Sequence, residues 1–318
     1  MTMPLVETKN LKKYFKTDVG MLHAVENVNL RIMPGKTLGV VGESGCGKST
    51  LGRTILRLQP ATDGEVLYNG DNILKYKGKD MKKIHLNMQM VFQDPYSSLD
   101  PRMSVHNLIA EPVRVCGLLK SKAEINEHVR EIMNMCGLPA DQANLYPHEL
   151  DGGLRQRVGL ARAMAVSPKF IVCDEPVSAL DVSIQAQILN LLMDLQEQRN
   201  LSYMFITHDL CVVKHISDEI MVMYMGQVVE HAKTAELFAN PVHPYTKALL
   251  HAVPTIDLSR RNREGFVLHG EVTSPINPAP GCRFAPRCPY ATEKCRENVC
   301  LKEVSPNHFV ACSLYGTK

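Results

Sequence analysis

The sequence predicts an α/β fold in which a mainly parallel sheet carries helices on both faces. Three observations predict it. The apolar run Thr37–Val41 leads into Gly42-Glu-Ser-Gly-Cys-Gly-Lys-Ser49, and residues 49–56 then suit a helix. A second apolar run, 170–173, ends in Asp174-Glu175, and a third, 202–207, ends in Thr207-His208-Asp209. Helical periodicity at 123–136 and 183–199 separates such runs, and alternating strands and helices imply parallel pairing.

Taken in order, residues 5–11 and 23–32 alternate as strands do, and Pro34-Gly35 turns the chain into the strand at 37–41. Asp63-Gly64, Asn69-Gly70 and the residues between them predict a hairpin. From about 100 to 165 the period is helical, with Gly137-Leu-Pro139 stopping the helix at 123–136. After about residue 240 prolines accumulate, which predicts a loop-rich extension behind the core.

The segment 42–49 carries the most specific chemistry. Glycines at 42, 45 and 47 let the backbone curl so that successive N–H groups converge on a β-phosphate. The helix behind the loop adds its positive end. Lys48 is expected to reach the β- and γ-phosphates, and the Ser49 hydroxyl to ligate Mg²⁺. The ATP-binding set from this stretch is Gly42, Glu43, Ser44, Gly45, Cys46, Gly47, Lys48, Ser49 and Thr50. A ligand-free glycine turn is the bland alternative, and the strand–loop–helix context argues against it. Asp174 at a strand end is expected to hold the same Mg²⁺, and Glu175 to polarise the attacking water.

Composition narrows the function classes. The chain has 318 residues, 45% hydrophobic and 22% charged, ordinary for a globular protein. No apolar run approaches the length needed to span a bilayer, the opening residues do not form a signal peptide, and a cytoplasmic protein is expected. A net charge of +3 without a basic, aromatic-interleaved stripe argues against nucleic acid.

Together these segments resemble the ATP-binding-cassette (ABC) ATPases from about residue 6 to about residue 251. The resemblance implies a P-loop NTPase with an ABC-type RecA-like core, an antiparallel β subdomain and an inserted helical subdomain at about 97–165. Phe92-Gln93-Asp94 is similar to the Q-loop, where Gln93 would sense Mg²⁺ and contact a transmembrane partner. Ser178-Ala-Leu-Asp181 is similar to the D-loop, and His208 to the switch histidine that clasps the γ-phosphate. Glu175 would be the catalytic base. Phe15 falls where the family stacks an aromatic on adenine, with Tyr14 as its alternative. In this family two domains face each other head to tail, each ATP lying between one phosphate loop and the other domain's signature motif.

That signature departs from the family form, Ser-Gly-Gly-Gln. Here it is Asp151-Gly152-Gly153-Leu154. Asp caps a helix as well as Ser does, so one reading is a harmless exchange. The favoured reading is a weakened site. A carboxylate ~4 Å from a γ-phosphate oxygen costs a few kcal/mol at an effective dielectric of about 20, and Leu154 removes a hydrogen-bonding amide.

Phe92-Gln-Asp-Pro-Tyr, Asn240-Pro-Val-His-Pro-Tyr and Gly281-Cys-Arg-Phe-Ala-Pro-Arg-Cys-Pro289 resemble one subgroup, the oligopeptide and dipeptide importers. Their division implies a nucleotide-binding domain at 1–255 and a C-terminal extension at 256–318. They also imply a second ATPase subunit, two permeases and an extracellular or periplasmic substrate-binding protein, with this chain on the cytoplasmic face of the membrane. Nickel-chelate and glutathione importers share the pattern, and a soluble, non-transport ABC protein is the rival of another class. In the tail, four thiolates at Cys282, Cys288, Cys295 and Cys312 suit zinc or iron–sulfur on count alone. Tight zinc-knuckle spacings are absent, and a cytosolic disulfide is disfavoured. The subgroup's four-cysteine tail implies a [4Fe–4S] cluster on those four, with zinc as the alternative and Cys300 a bystander.

Overall fold

In a computed structural model the chain is described over residues 3–253 and 274–315. Twelve strands lie among the described residues. They are β1 Val6–Thr17, β2 Gly20–Ile32, β3 Thr37–Val41, β4 Asp63–Tyr68, β5 Asp71–Asn72 and β6 Met88–Val91. Then follow β7 Phe170–Asp174, β8 Ser202–Ile206, β9 Glu219–Tyr224, β10 Gln227–Lys233, β11 Lys302–Ser305 and β12 His308–Val310. One sheet of four antiparallel strands runs β2-β1-β4-β5. A second sheet of eight runs β11-β12-β10-β9-β3-β8-β7-β6.

The eight-stranded sheet is parallel from β9 through β6. Every residue of β3, β7 and β8 is buried, which is why these strands read as continuous apolar runs rather than alternating ones. The expected hairpin joins β4 to β5. Asn69 and Gly70 both have positive φ, 50° and 85°, the two-residue turn that matches strand twist.

Two packed layers flank the sheet. The helices Val105–Cys116, Lys122–Met135 and Gly152–Met164 bury Val105, Leu108, Val129 and Leu160 in one cluster with Ile171 and Phe205. On the other side, Leu51 and Ile55 of the helix Lys48–Ile55 pack with Val25, Val28 and Val66 of the antiparallel sheet. The Lys122–Met135 helix starts on a capping box, in which the Ser121 hydroxyl accepts from Glu124 N–H and Glu124 accepts from Ser121 N–H. It stops at Gly137, φ 65°, where Leu138 N–H returns to Met133 O.

The tail is loop-rich, as expected, but carries two short strands. The boundary expected at residues 255 and 256 lies outside the described residues. Beyond it the chain is not merely loops, because β11 and β12 extend the main sheet through β10. Phe284, 1% exposed, packs edge-on to Tyr224 and tilted against Tyr245 inside the third core cluster. The junction is polar at its centre. Glu230 of β10, fully buried, accepts from the backbone N–H groups of Val242 and His243, and His308 Nε2 of β12 lies 2.7 Å from its carboxylate.

Removing one partner of a buried pair strands the other's polar atoms. His308→Ala should therefore cost about 2–4 kcal/mol of stability. Chemical denaturation of the full chain checks this, and an unchanged midpoint would show the pair to be inert.

Candidate nucleotide-binding site

The carboxyl ends of β3, β7 and β8 meet at one edge of the sheet, where open α/β sheets receive ligands. The loop after β3 is held against the backbone on two sides. A Cβ at Gly42 would stand 2.2 Å from Met223 O, and one at Gly47 2.0 Å from Ala24 O. Both residues have positive φ, 152° and 104°. Glycine is required at both for space and for conformation.

Lys48 folds back across its own loop. Its Nζ donates to Gly42 O at 2.8 Å and Glu43 O at 2.9 Å, and the residue is only 4% exposed. Ser49, next along, donates from Oγ to Asp174 Oδ1 at 2.6 Å. Asp174 is fully buried. Burial pushes its carboxyl above the ordinary range, opposed by the Ser49 hydrogen bond and by Arg53, whose guanidinium stands 3.5 Å from Oδ2. Oδ2 has no hydrogen-bond partner. A buried carboxylate whose Oδ2 accepts no hydrogen bond and meets the Arg53 guanidinium only at 3.5 Å, beside a hydroxyl, is a donor set that fits a divalent cation.

Glu175 sits one residue past the strand, in the left-handed region at φ 46°, uncommon for a residue with a Cβ. Its N–H is fixed by Ile206 O at 2.9 Å. One oxygen, Oε2, accepts from Gln93 Nε2 at 3.1 Å, and His208 Nδ1 stands 3.3 Å from the same atom. Two residues far apart in sequence thus converge on a single carboxylate oxygen of Glu175. A cavity beside the loop is lined by Phe15, His23, Lys48, Ser49, Gln93 and Glu175, among others. Phe15 lines it, whereas Tyr14 turns away: it stacks on His23 at 3.9 Å and donates to Glu26 at 2.7 Å.

Asp151–Leu154 do not line this cavity. Asp151 caps the helix Gly152–Met164, its carboxylate accepting from Leu154 N–H at 2.8 Å. Asp181 precedes the helix Val182–Arg199 and makes no side-chain cap. Cys46 is buried, and burial raises its thiol.

Sequence reasoning missed several contributors. Arg53 reaches Asp174. Tyr245 accepts the Glu43 N–H at 2.9 Å through its hydroxyl, and Arg287 pairs with the Glu43 carboxylate at 2.9 Å. Pro275 lines the cavity. Tyr245 and Arg287 lie in segments quoted above only as subgroup patterns, Pro275 lies in the proline-rich stretch after residue 240, and nothing local in either points to phosphate.

The four tail cysteines are gathered but not arranged as ligands. Cys282, Cys288, Cys295 and Cys312 lie close enough to influence one another electrostatically, and Cys300 is exposed. Burial pushes the Cys282 thiol to about 11 and raises Cys288 and Cys312. Burial opposes ionisation of Cys295 as well, but contacts from Ser313 and Thr292 bring it below the ordinary value. Among the described residues no group of three or more His, Cys, Asp or Glu side chains is placed to hold a metal ion. The geometry therefore does not supply the tetrathiolate site expected from the resemblance.

Comparison with known proteins follows the geometry. Residues 25–178 match the ABC transporter family model, and residues 229–295 match the oligopeptide/dipeptide transporter C-terminal region. The chain is 48% identical to the oligopeptide transport ATP-binding protein AppF of Bacillus subtilis (strain 168), covering 98% of each chain. It is 49% identical to OppF of Escherichia coli (strain K12), covering 96% of this chain and 92% of that one. Among solved structures it is similar to the dimeric post-hydrolysis state of the cassette MJ0796 bound to ADP and Pi. The TM-score is 0.67 at 31% identity, over 72% of this chain and 98% of that one.

The cap contact of Asp151 generates a prediction. Asp151→Ala should destabilise the first turn of its helix by about 1 kcal/mol, and Asp151→Ser should not. Hydrogen exchange at residues 152–155 reads the difference; equal exchange in the two variants would count against a capping role.

Proposed function

Because this chain belongs to the ABC transporter family of ATP-hydrolysing proteins, we propose that it is the ATPase subunit powering import of di- and oligopeptides. The observation that carries the catalytic part is the convergence of Gln93 and His208 on one oxygen of Glu175, beside the cavity that Lys48 and Ser49 line. The relatives' printed names, oligopeptide transport ATP-binding proteins, support the substrate class.

The roles follow from position. Loop N–H groups and Lys48 bind the phosphates, and Phe15 packs on the base. Ser49, Gln93 and Asp174 would hold Mg²⁺, which when bound supplies positive charge to the phosphate oxygens. Glu175 accepts a proton from the attacking water as general base, and His208 orients that carboxylate and meets the γ-phosphate. Division of the chain at 1–255 and 256–318, with the helical insertion at about 97–165, accompanies this reading.

A groove of about 690 Å³ beside Gln93 supports a permease partner. It is lined by Leu58, Phe92, Asp94, Ser97 and Pro112, with Tyr96 of the same loop 58% exposed. Among the described residues no helix is long and apolar enough to cross a membrane. Attachment to the cytoplasmic face through two permeases fits both facts, with an extracellular or periplasmic binding protein supplying substrate. Asp151 and Leu154 support a second, different ATPase subunit whose signature serves this chain's ATP.

The tail's metal is a separate proposal. A [4Fe–4S] cluster, with zinc as its alternative, is supported by the match of Cys282, Cys288, Cys295 and Cys312 to the subgroup's four-cysteine tail, with Cys300 exposed. Against it stands the lack, among the described residues, of a group of three or more ligating side chains placed to hold a metal ion. Anaerobic purification with iron and sulfide analysis decides: stoichiometric iron is expected, and zinc without iron would sink the cluster.

Glu175→Gln in the assembled transporter should keep ATP binding and lose turnover by about 10²–10⁴-fold. Near-normal steady-state hydrolysis would place the base elsewhere. The two ATP sites should also be unequal. Lys48→Ala should damage transport far more than the matching change in the partner ATPase, and equal losses would refute the asymmetry.

A further inference from the structure

Two stretches of the C-terminal extension reach the nucleotide cavity. The first runs alongside β2. His23 N–H donates to Pro275 O at 3.0 Å, Asn277 N–H to Met21 O at 2.9 Å, and Met21 N–H to Asn277 Oδ1 at 2.9 Å, with Leu22 and Ile276 bridged antiparallel. This short addition to a sheet edge leaves Pro275 half-buried in the cavity wall, in the company of Phe15, Leu22 and His23. The Pro275 carbonyl is already engaged, so the ring is what it offers a ligand.

The second stretch is anchored to β2 and to the phosphate loop through two arginines. Arg283 donates to Met225 O, to His23 O at 3.3 Å and to Glu26 at 3.1 Å, and its side chain is 7% exposed. Arg287 Nη1 donates to both oxygens of Glu43, at 3.1 and 2.9 Å, with its side chain 8% exposed. Glu43 belongs to the phosphate loop itself, and its N–H is bound by the buried Tyr245 hydroxyl. Between the two arginines Phe284 is 1% exposed. Such a segment is built in, because two desolvated guanidiniums need their partners.

We propose that residues 275–287 form part of the ATP site. Pro275 supplies an apolar wall for the adenosine end of the nucleotide, and Arg287 is a positioning residue that fixes the phosphate loop through Glu43. The cavity's two ends support this division. Lys48 and Ser49 mark the phosphate end, while Phe15 and Pro275 contribute the apolar surface where a purine can be stacked.

The inference rests on the reading of this cavity as the nucleotide site, and the experiment separates the two. The full chain is titrated calorimetrically with ATP and, in parallel, with inorganic tripolyphosphate, which lacks adenosine. Pro275→Ala should weaken ATP by roughly three- to tenfold and leave tripolyphosphate unchanged. Arg287→Ala should weaken both ligands. Arg287→Lys should recover most of the loss, because a single nitrogen serves both Glu43 oxygens. Lys48→Ala is the control and should lose both ligands.

If the wild type binds neither ligand, or Lys48→Ala binds both normally, the reading of the cavity fails. Where Lys48→Ala loses binding but Pro275→Ala and Arg287→Ala match the wild type, the tail has no part in the site. Equal weakening of both ligands by Pro275→Ala would overturn its assignment to the adenosine end, and no recovery in Arg287→Lys would overturn the ion-pair role of Arg287.

Discussion

The chemistry of this molecule depends on one short contact, the Ser49 hydroxyl on the buried Asp174 carboxylate at 2.6 Å. It ties the helix that follows β3 to the carboxyl end of β7. Parallel pairing places those ends side by side, and β8 brings His208 to the same edge. A sheet with β3 and β7 in opposite directions would separate the loop from the carboxylate by the length of a strand. Burial of Asp174 sharpens the arrangement, since a desolvated carboxylate is costly unless positive charge faces it, and Arg53 supplies one such charge at 3.5 Å.

The same economy of position explains Glu175. A residue with a side chain in the left-handed region carries a small conformational penalty, and it persists where surrounding contacts fix it. Here the fixing contacts are Ile206 O on its N–H and Gln93 and His208 on its carboxylate. The strain turns the side chain away from β7's pleat and toward the cavity.

The phosphate loop was legible in the sequence because its constraints are local: glycine conformations, one lysine and one hydroxyl within eight consecutive residues. The strands β3, β7 and β8 were legible because full burial writes an unbroken apolar run. Gln93 carried no such signal by itself and His208 only its place at a strand's end, and the resemblance to a known family gave both their roles. The tail is loop-rich as expected, and its two short strands were not legible for a physical reason. Strand β12 has three residues and β11 four, too few to display alternation, and β11 faces solvent along most of its length. Pro275, Tyr245 and Arg287 escaped notice because their importance lies in what they touch more than two hundred residues away. For Asp151 the favoured reading from sequence is a weakened ATP site and the other a helix cap, and its contact with Leu154 N–H is the capping one.

The wiring of the tail has a consequence for biosynthesis. Chains leave the ribosome from the N-terminus at about 5–20 residues per second, and domains tend to fold as they emerge. The phosphate loop, at residues 42–49, is synthesised early. Its Glu43 meets Tyr245 and Arg287 only much later, and β10 meets its neighbour β12 later still. Translation therefore finishes this nucleotide site last: the nascent cassette carries its phosphate loop for most of its synthesis before the residues that brace that loop exist.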